Sequence, residues 1–221
     1  MIEVWGRRNS LNVQKVMWTL GELELEYLRH DTAGSFGIDE SYRAMNPNAV
    51  VPTIRDGDLT MYESNACVRY LSRSYGFDYL CPADPRAAAI ADQWMDWQCN
   101  TLTPALFAVF INRVRTPPDR INEAQLARGL EQTGALLSQV EKRLQTTPFI
   151  AGENLTMADI VIGVNLYRYF EMEIERPALA GVRAYYERLS ARPAYQHHVM
   201  IPFGRNPDEW LAEEKKNAGI Q

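Results

Sequence analysis

Val50-Val51-Pro52-Thr53-Ile54, running on through Arg55-Asp56-Gly57-Asp58 and Leu59-Thr60-Met61-Tyr62 to Glu63-Ser64-Asn65-Ala66, is the stretch on which the reading of this chain turns. Two short β-prone runs flank Asp-Gly, and a helical apolar period opens at Glu63-Ser64, so the order is strand, tight turn, strand, helix. Gly57 supplies the positive φ that a short hairpin turn requires. Pro52 gives up a ladder donor and fixes φ, which marks an edge or a turn. If Val51 lies at such an edge, its N–H and C=O are free to receive a peptide as a short extra strand. Glu63 and Ser64 fall at a helix start, where unpaired N–H groups favour a carboxylate. A bend, a sheet edge and a helix start meeting in one place make a small-ligand seat.

Upstream, Ile2 to Gly6 reads as a strand. Leu11, Val13, Val16, Met17 and Leu20 follow at helical spacing behind Ser10 as a candidate N-cap, and Tyr27 to Asp31 reads as a second strand. A loop over Thr32–Ile38 and a short helix over Asp39–Met45 lead to Asn46-Pro47-Asn48. Residues 1–79 thus form a compact α/β unit, βαβ followed by αββα. Residues 80–86 are the linker, with Asp84-Pro85 placed as N-cap and first-turn proline of the next helix.

Beyond the linker the pattern is all-helical over 87–203. A long stretch from Ala87 to Val114 carries Trp94 and Trp97, and Pro104 inside it predicts a kink or break. A second helix spans Ile121 to Leu144. Thr156-Met157-Ala158-Asp159 has capping-box spacing with Asp in place of Glu or Gln, flanked by Leu155 and Ile160 as a hydrophobic staple. The segment Met157 to Phe170 is apolar nearly all round and predicts the central helix. Helices over Pro177–Leu189 and after Pro193 complete the domain. Residues 204–221 read as a polar, loosely held tail.

The formal charge of −5 argues against non-specific nucleic-acid binding. No apolar run approaches the ~20 residues of a membrane span, and the charges at Glu3, Arg7 and Arg8 read against a secretory leader. Cys67, Cys81 and Cys99 form neither a disulfide framework nor a zinc spacing, which points to a reducing cytoplasm. Adjacent His197 and His198 point apart on a helix and lack a third ligand, so no metal is expected.

Ser10 and Asn12 stand where the first strand turns into the first helix. Besides capping, a hydroxyl and an amide beside helix N-terminal N–H groups stabilise an anion such as a thiolate. No cysteine lies there, so the thiol arrives with the ligand. Glu63 and Ser64 pair an ammonium acceptor with carboxylate donors, which reads an α-amino acid head group. Trp94, Trp97, Phe107 and Phe110 serve the core or line an apolar pocket, the core being the commoner role. Arg113 and Tyr167 are candidates for the second-substrate side.

Asn9-Ser10-Leu11-Asn12-Val13-Gln14-Lys15-Val16, Asn46-Pro47-Asn48, Val51-Pro52-Thr53, Glu63-Ser64-Asn65-Ala66 and Asn154-Leu155-Thr156-Met157-Ala158-Asp159 together resemble the cytosolic glutathione transferase family, in particular its bacterial members. The resemblance implies a thioredoxin-like N-terminal domain, an all-α C-terminal domain and a homodimer. It implies glutathione as co-substrate, its thiolate conjugated to a small apolar electrophile in detoxification. Val51 would pair with the cysteinyl backbone and Pro52 would be the family's cis-proline. Glu63 and Ser64 would hold the γ-glutamyl end, Ser10 or Asn12 would face the sulfur, and Asp159 would be structural. No Tyr or Cys stands at the thiol position, which leaves a hydroxyl- or amide-assisted thiolate. Many relatives carry Gly-Lys before Val-Pro, the Lys helping to hold the glycyl carboxylate. Ala49-Val50 stands there instead, leaving Arg7, Arg8 or His30 as substitutes. The alternatives are glutathione-dependent disulfide or peroxide reduction, and a transferase-like binding module without catalysis.

Overall fold

The computed structural model describes residues 1–218. Its N-terminal half is a four-stranded sheet in the order β2-β1-β3-β4, built from β1 (Ile2–Trp5), β2 (Tyr27–His30), β3 (Thr53–Asp56) and β4 (Leu59–Tyr62). β1 runs parallel to β2 and antiparallel to β3, and β3 pairs antiparallel with β4. The turn between β3 and β4 places Gly57 at φ +60° with open space where a Cβ would stand, as the Asp-Gly reading requires. Helices α1 (Leu11–Glu22) and α3 (Ser64–Tyr75) pack together, and α2 (Glu40–Met45) is capped by Asp39, whose carboxylate accepts from the Tyr42 N–H. Val4, Val16, Leu20, Ile54 and Leu71 form a dry core. This is the thioredoxin-like arrangement expected.

One detail of the opening stretch differs. β3 lies inside the sheet and begins only at Thr53, so Val51 and Pro52 precede the ladder and do not sit on an edge strand. The bond between them is cis. Tyr42 Oη and Asn46 Nδ2 both donate to the Val50 carbonyl, at 2.6 and 2.7 Å. Among the described residues nothing bonds the N–H or C=O of Val51. The free backbone pair that an edge was to provide is supplied by a loop.

The C-terminal half is helical: α4 (Pro85–Trp97), α5 (Thr103–Phe110), α6 (Glu123–Leu144), α7 (Met157–Glu171), α8 (Ala180–Ser190), α9 (Pro193–His198) and α10 (Pro207–Lys216). Asp84 caps α4 by accepting from the Ala87 N–H, with Pro85 in the first turn. Pro104 does not break the chain's course. The π-helical turn Gln98–Leu102 joins α4 to α5, and Leu102 and Thr103 keep helical dihedrals. A wider turn ahead of the proline makes room for a residue that donates no hydrogen bond. A second π-turn, Ile111–Arg115, ends the rod.

α7 is the central helix, buried from Met157 to Tyr169. Asp159 at its start completes the capping box and is fully buried. Gly163 lets α7 approach α1, because a Cβ there would lie 2.7 Å from the Trp18 ring. That ring is held edge-on to Tyr195 and bonded to Glu22, so it has no room to give. Arg192 clasps Glu22 with two hydrogen bonds of 2.7 and 2.6 Å, tying the start of α9 to the end of α1.

The region expected as a loose polar tail is not wholly one. Residues 207–216 form α10, whose Trp210 is buried against Phe110 and Phe203 helps enclose the same ring. An aromatic anchor on an otherwise charged helix is enough to dock it. The last residues of that expected tail, 219–221, lie outside the described residues.

Candidate active site

Where the two halves face each other, a cavity of about 400 Å³ opens above the start of α1, a size typical of small-molecule sites. Ser10, Leu11 and Asn12 form its floor, Ala49, Val50 and Val51 one wall, and Leu106, Phe107 and Phe110 the opposite one. Phe107 is half exposed and Phe110 buried, so α5 presents a greasy face to the opening. Trp94 and Trp97 stack edge to face against each other and pack on the core outside this lining, whereas Phe110 belongs to both core and lining.

Ser10 occupies the N-cap position of α1 with an extended backbone, yet its side chain makes no capping bond and no acidic residue stands in the first turn. The hydroxyl is thus left to the cavity. The first N–H groups of α1 are uncapped as well, so a hydroxyl donor and the positive end of a helix point at one spot. That combination stabilises a negative charge placed there. Asn12 reaches the same cavity from the exposed side of α1.

Glu63 and Ser64 lie beyond this lining, at the junction of β4 and α3. Glu63 adopts φ +69°, ψ +105°, a region that non-glycine residues rarely visit and that tends to mark functional sites. Beneath them is Lys15, 1% exposed. Its Nζ donates to Ser64 Oγ (3.3 Å), Asn65 Oδ1 (2.9 Å) and Gln98 Oε1 (3.3 Å). Burial pulls the ammonium down to about 8, against the favourable fields of Cys99 and Glu63. At neutral pH it is still mostly charged. A buried cation with only neutral acceptors, under a helix N-terminus, makes that end of the cleft attractive to a carboxylate. The network continues from Gln98 Nε2 to Thr103 Oγ1 (2.5 Å), and Thr103 lines the cavity with Asn165.

Three arginines also reach the cavity. Arg7 pairs through Nε with Glu214 of α10 at 2.8 Å. Arg115 lies over the Trp210 ring. Arg168, projecting from α7, packs on Phe110, and its Nη2 donates to the Asn9 carbonyl at 2.7 Å. Burial, with Arg7 and Arg115 nearby, lowers its guanidinium to about 9.

Of the residues singled out from sequence, the cavity brings together Ser10, Asn12 and Val51, together with Arg7 among the carboxylate-holding candidates. Arg8 instead bonds the His197 carbonyl, and His30 bonds Glu3 while stacking on Trp5. Arg113 and Tyr167 are not part of the cavity. Arg113 borders separate hollows beside Glu171 and Glu173, and Tyr167 packs edge-on to Phe203. His198 is buried where a Cβ on Gly21 would touch it, and burial lowers it to about 4, so it is a packing residue. Sequence reasoning passed over Lys15, Arg115, Arg168 and Trp210. Two carried a signal: Arg168 is the one basic residue of a largely apolar helix, and Trp210 the aromatic within a polar tail.

Comparison with known proteins follows the same division. The family model for the glutathione S-transferase N-terminal domain matches residues 5–80, and that for the C-terminal domain matches residues 99–193. Glutathione S-transferase GstB of Escherichia coli strain K12 is 38% identical over 91% of this chain and 99% of its own. Glutathione S-transferase F13 of Arabidopsis thaliana is 33% identical over 88% of this chain and 93% of its own. Among solved structures, the theta class glutathione S-transferase of Xanthomonas axonopodis pv. citri with glutathione bound superposes with a TM-score of 0.89. It is 42% identical, covering 92% of this chain and 99% of that one. With matches on both sides of the cleft and a shared thioredoxin-like and helical architecture, this chain belongs to the glutathione S-transferase family.

Proposed function

We propose that the chain is a glutathione transferase that joins the glutathione thiolate to an apolar electrophile in the interdomain cleft. The observation that carries this reading is the start of α1, where Ser10 leaves its capping role and turns its hydroxyl to the cavity. In this reading the glutathione cysteinyl unit pairs with the free backbone of Val51, beside Pro52. The γ-glutamyl carboxylate meets Ser64 and the N-terminus of α3 over Lys15, and Glu63 takes the ammonium. Arg7, which reaches the cavity where Arg8 and His30 do not, takes the glycyl carboxylate in place of the missing Lys at Val50.

Ser10 then donates to the sulfur, with Asn12 as the neighbouring amide. The thiol proton leaves to solvent and the sulfur lone pair attacks the electrophile held against Leu106, Phe107 and Phe110. Rate enhancement comes from a larger thiolate fraction and from proximity. Calorimetric titration with glutathione checks the seat: the wild-type protein binds, and Ser64→Ala weakens binding about tenfold, or about 1.4 kcal/mol. Absence of any binding heat by the wild type sinks the reading.

We place the protein in the cytoplasm, in detoxification, as a homodimer. Leu59 of β4, Tyr75 of α3 and Ile90 of α4 are exposed apolar side chains that a second copy could cover. Sedimentation equilibrium is expected to return twice the chain mass, and a monomer at micromolar concentration contradicts it.

A further inference from the structure

The second-substrate side of the cleft carries the apolar Leu106, Phe107 and Phe110, the neutral polar Thr103 and Asn165, and at one end two cations. There Arg115, from the π-turn after α5, and Arg168, from α7, flank Trp210, their guanidinium carbons 5.0 and 5.8 Å from its ring centroid. Both line the cavity. Among the described residues neither has a carboxylate within ion-pairing distance. Glu214 is already engaged by Arg7 (2.8 Å) and by the Ser35 N–H (2.7 Å). Arg168 is only 5% exposed, and its hydrogen bond to the Asn9 carbonyl satisfies one nitrogen.

Keeping a cation in a dry setting without a counter-charge is costly. Packing against Phe110 and Trp210 alone is a task that Met or Leu would perform without that cost. A guanidinium is a planar fork suited to carboxylate, sulfonate or phosphate oxygens. The missing counter-charge therefore belongs to the occupant of the cavity. We assign it to the second substrate because Arg115 and Arg168 both flank Trp210 and come from the helical domain that carries Phe107 and Phe110, while Arg168 also reaches across to the Asn9 carbonyl.

We propose that the second substrate is an amphipathic anion, an electrophile whose apolar body rests on Phe107 and Phe110 and whose carboxylate-like group lies between Arg115 and Arg168. This rests on the glutathione reading of the cleft. With a benzylic halide of that kind, the thiolate lone pair forms the S–C bond and the C–halogen bond breaks. The halide departs with its electron pair, the thiol proton has already passed to solvent, and the carboxylate is unchanged.

The test is calorimetric binding of two preformed conjugates, S-(para-carboxybenzyl)glutathione and its carboxamide, S-(para-carbamoylbenzyl)glutathione. The carboxylate conjugate is expected to bind about tenfold or more tightly, as one to two charge-assisted hydrogen bonds provide. Arg115→Gln, at an exposed position that leaves the core untouched, reduces that preference to about threefold, and Arg168→Met brings it near unity. Should Arg168→Met fail to fold, Arg115→Gln decides alone. Equal binding of the two conjugates overturns the proposal while leaving the glutathione reading intact. The proposal also falls if Arg115→Gln weakens both conjugates alike, which assigns the arginines to the glutathione half. If neither conjugate binds, the glutathione reading fails first and the proposal with it.

Discussion

Ser10→Ala lowers kcat/KM with an activated aryl halide about 10- to 100-fold near pH 6.5, and the deficit shrinks to a few-fold above about pH 9. A hydrogen bond to an ionised partner contributes about 1.5–3 kcal/mol, which is about one to two units of thiol pKa. In its proposed role the hydroxyl favours the thiolate, so losing it raises the pKa of bound glutathione and cuts the thiolate fraction wherever pH lies below the new value. Above that value both proteins hold full thiolate. The more basic sulfur of the variant is then intrinsically the better nucleophile, which closes the gap further. Ser10→Ala also leaves the fold alone, because the side chain makes no capping bond in α1. Asn12→Ala, on the exposed side of the same turn, changes the rate by no more than about threefold. Steady-state pH profiles of the three proteins check this, and a pH-independent loss in Ser10→Ala contradicts the thiolate role.

Asp159→Ala produces the largest loss of stability expected of any single substitution considered, about 3–5 kcal/mol. The Asp159 carboxylate accepts from Ile150 N–H (2.9 Å), Thr156 N–H (2.7 Å), Thr156 Oγ1 (3.1 Å) and Tyr185 Oη (2.6 Å). Removing it strands four donors, two backbone N–H groups and two hydroxyls, around a helix start that also bonds the Leu80 carbonyl through Met157 N–H (2.8 Å). Asp159→Asn keeps acceptor capacity and costs less. Urea unfolding followed by tryptophan fluorescence is expected to show the Ala midpoint lowered by about 1–2 M, with Asn between it and wild type. An unchanged midpoint refutes the network as the anchor of α7. The effect reaches the cleft, since α7 carries Asn165 and Arg168 to the cavity wall.

What the sequence disclosed follows from how local each signal is. The hairpin at Gly57 and the capping box at Thr156 and Asp159 are written within four residues, and both stand in the fold as read. The start of α1 shows the limit of that method. Ser10 is a favoured cap by type, but whether it caps depends on which way a hydroxyl turns, and a cavity built by α5, α7 and α10 decides that. Pro104 predicted a kink or break because a proline's cost is local, whereas the π-turn that precedes it depends on how the rod packs. Trp210 looked like tail because its helix is otherwise charged, and its partners Phe110, Arg115 and Arg168 are far from it in sequence. Lys15 lies deepest in this category. A cation on a helix face reads as solvated until the neighbours that bury it are known.

On the proposed reading, the first turn of α1 holds glutathione as a thiolate. An ultraviolet titration of the thiol of bound glutathione, in wild type and Ser10→Ala, tests it most directly. The account predicts a wild-type pKa at least one unit below the ordinary thiol value of about 8.5, moving back toward that value when the hydroxyl is removed. A wild-type thiol that titrates like free glutathione, or a depressed pKa that Ser10→Ala leaves in place, contradicts it.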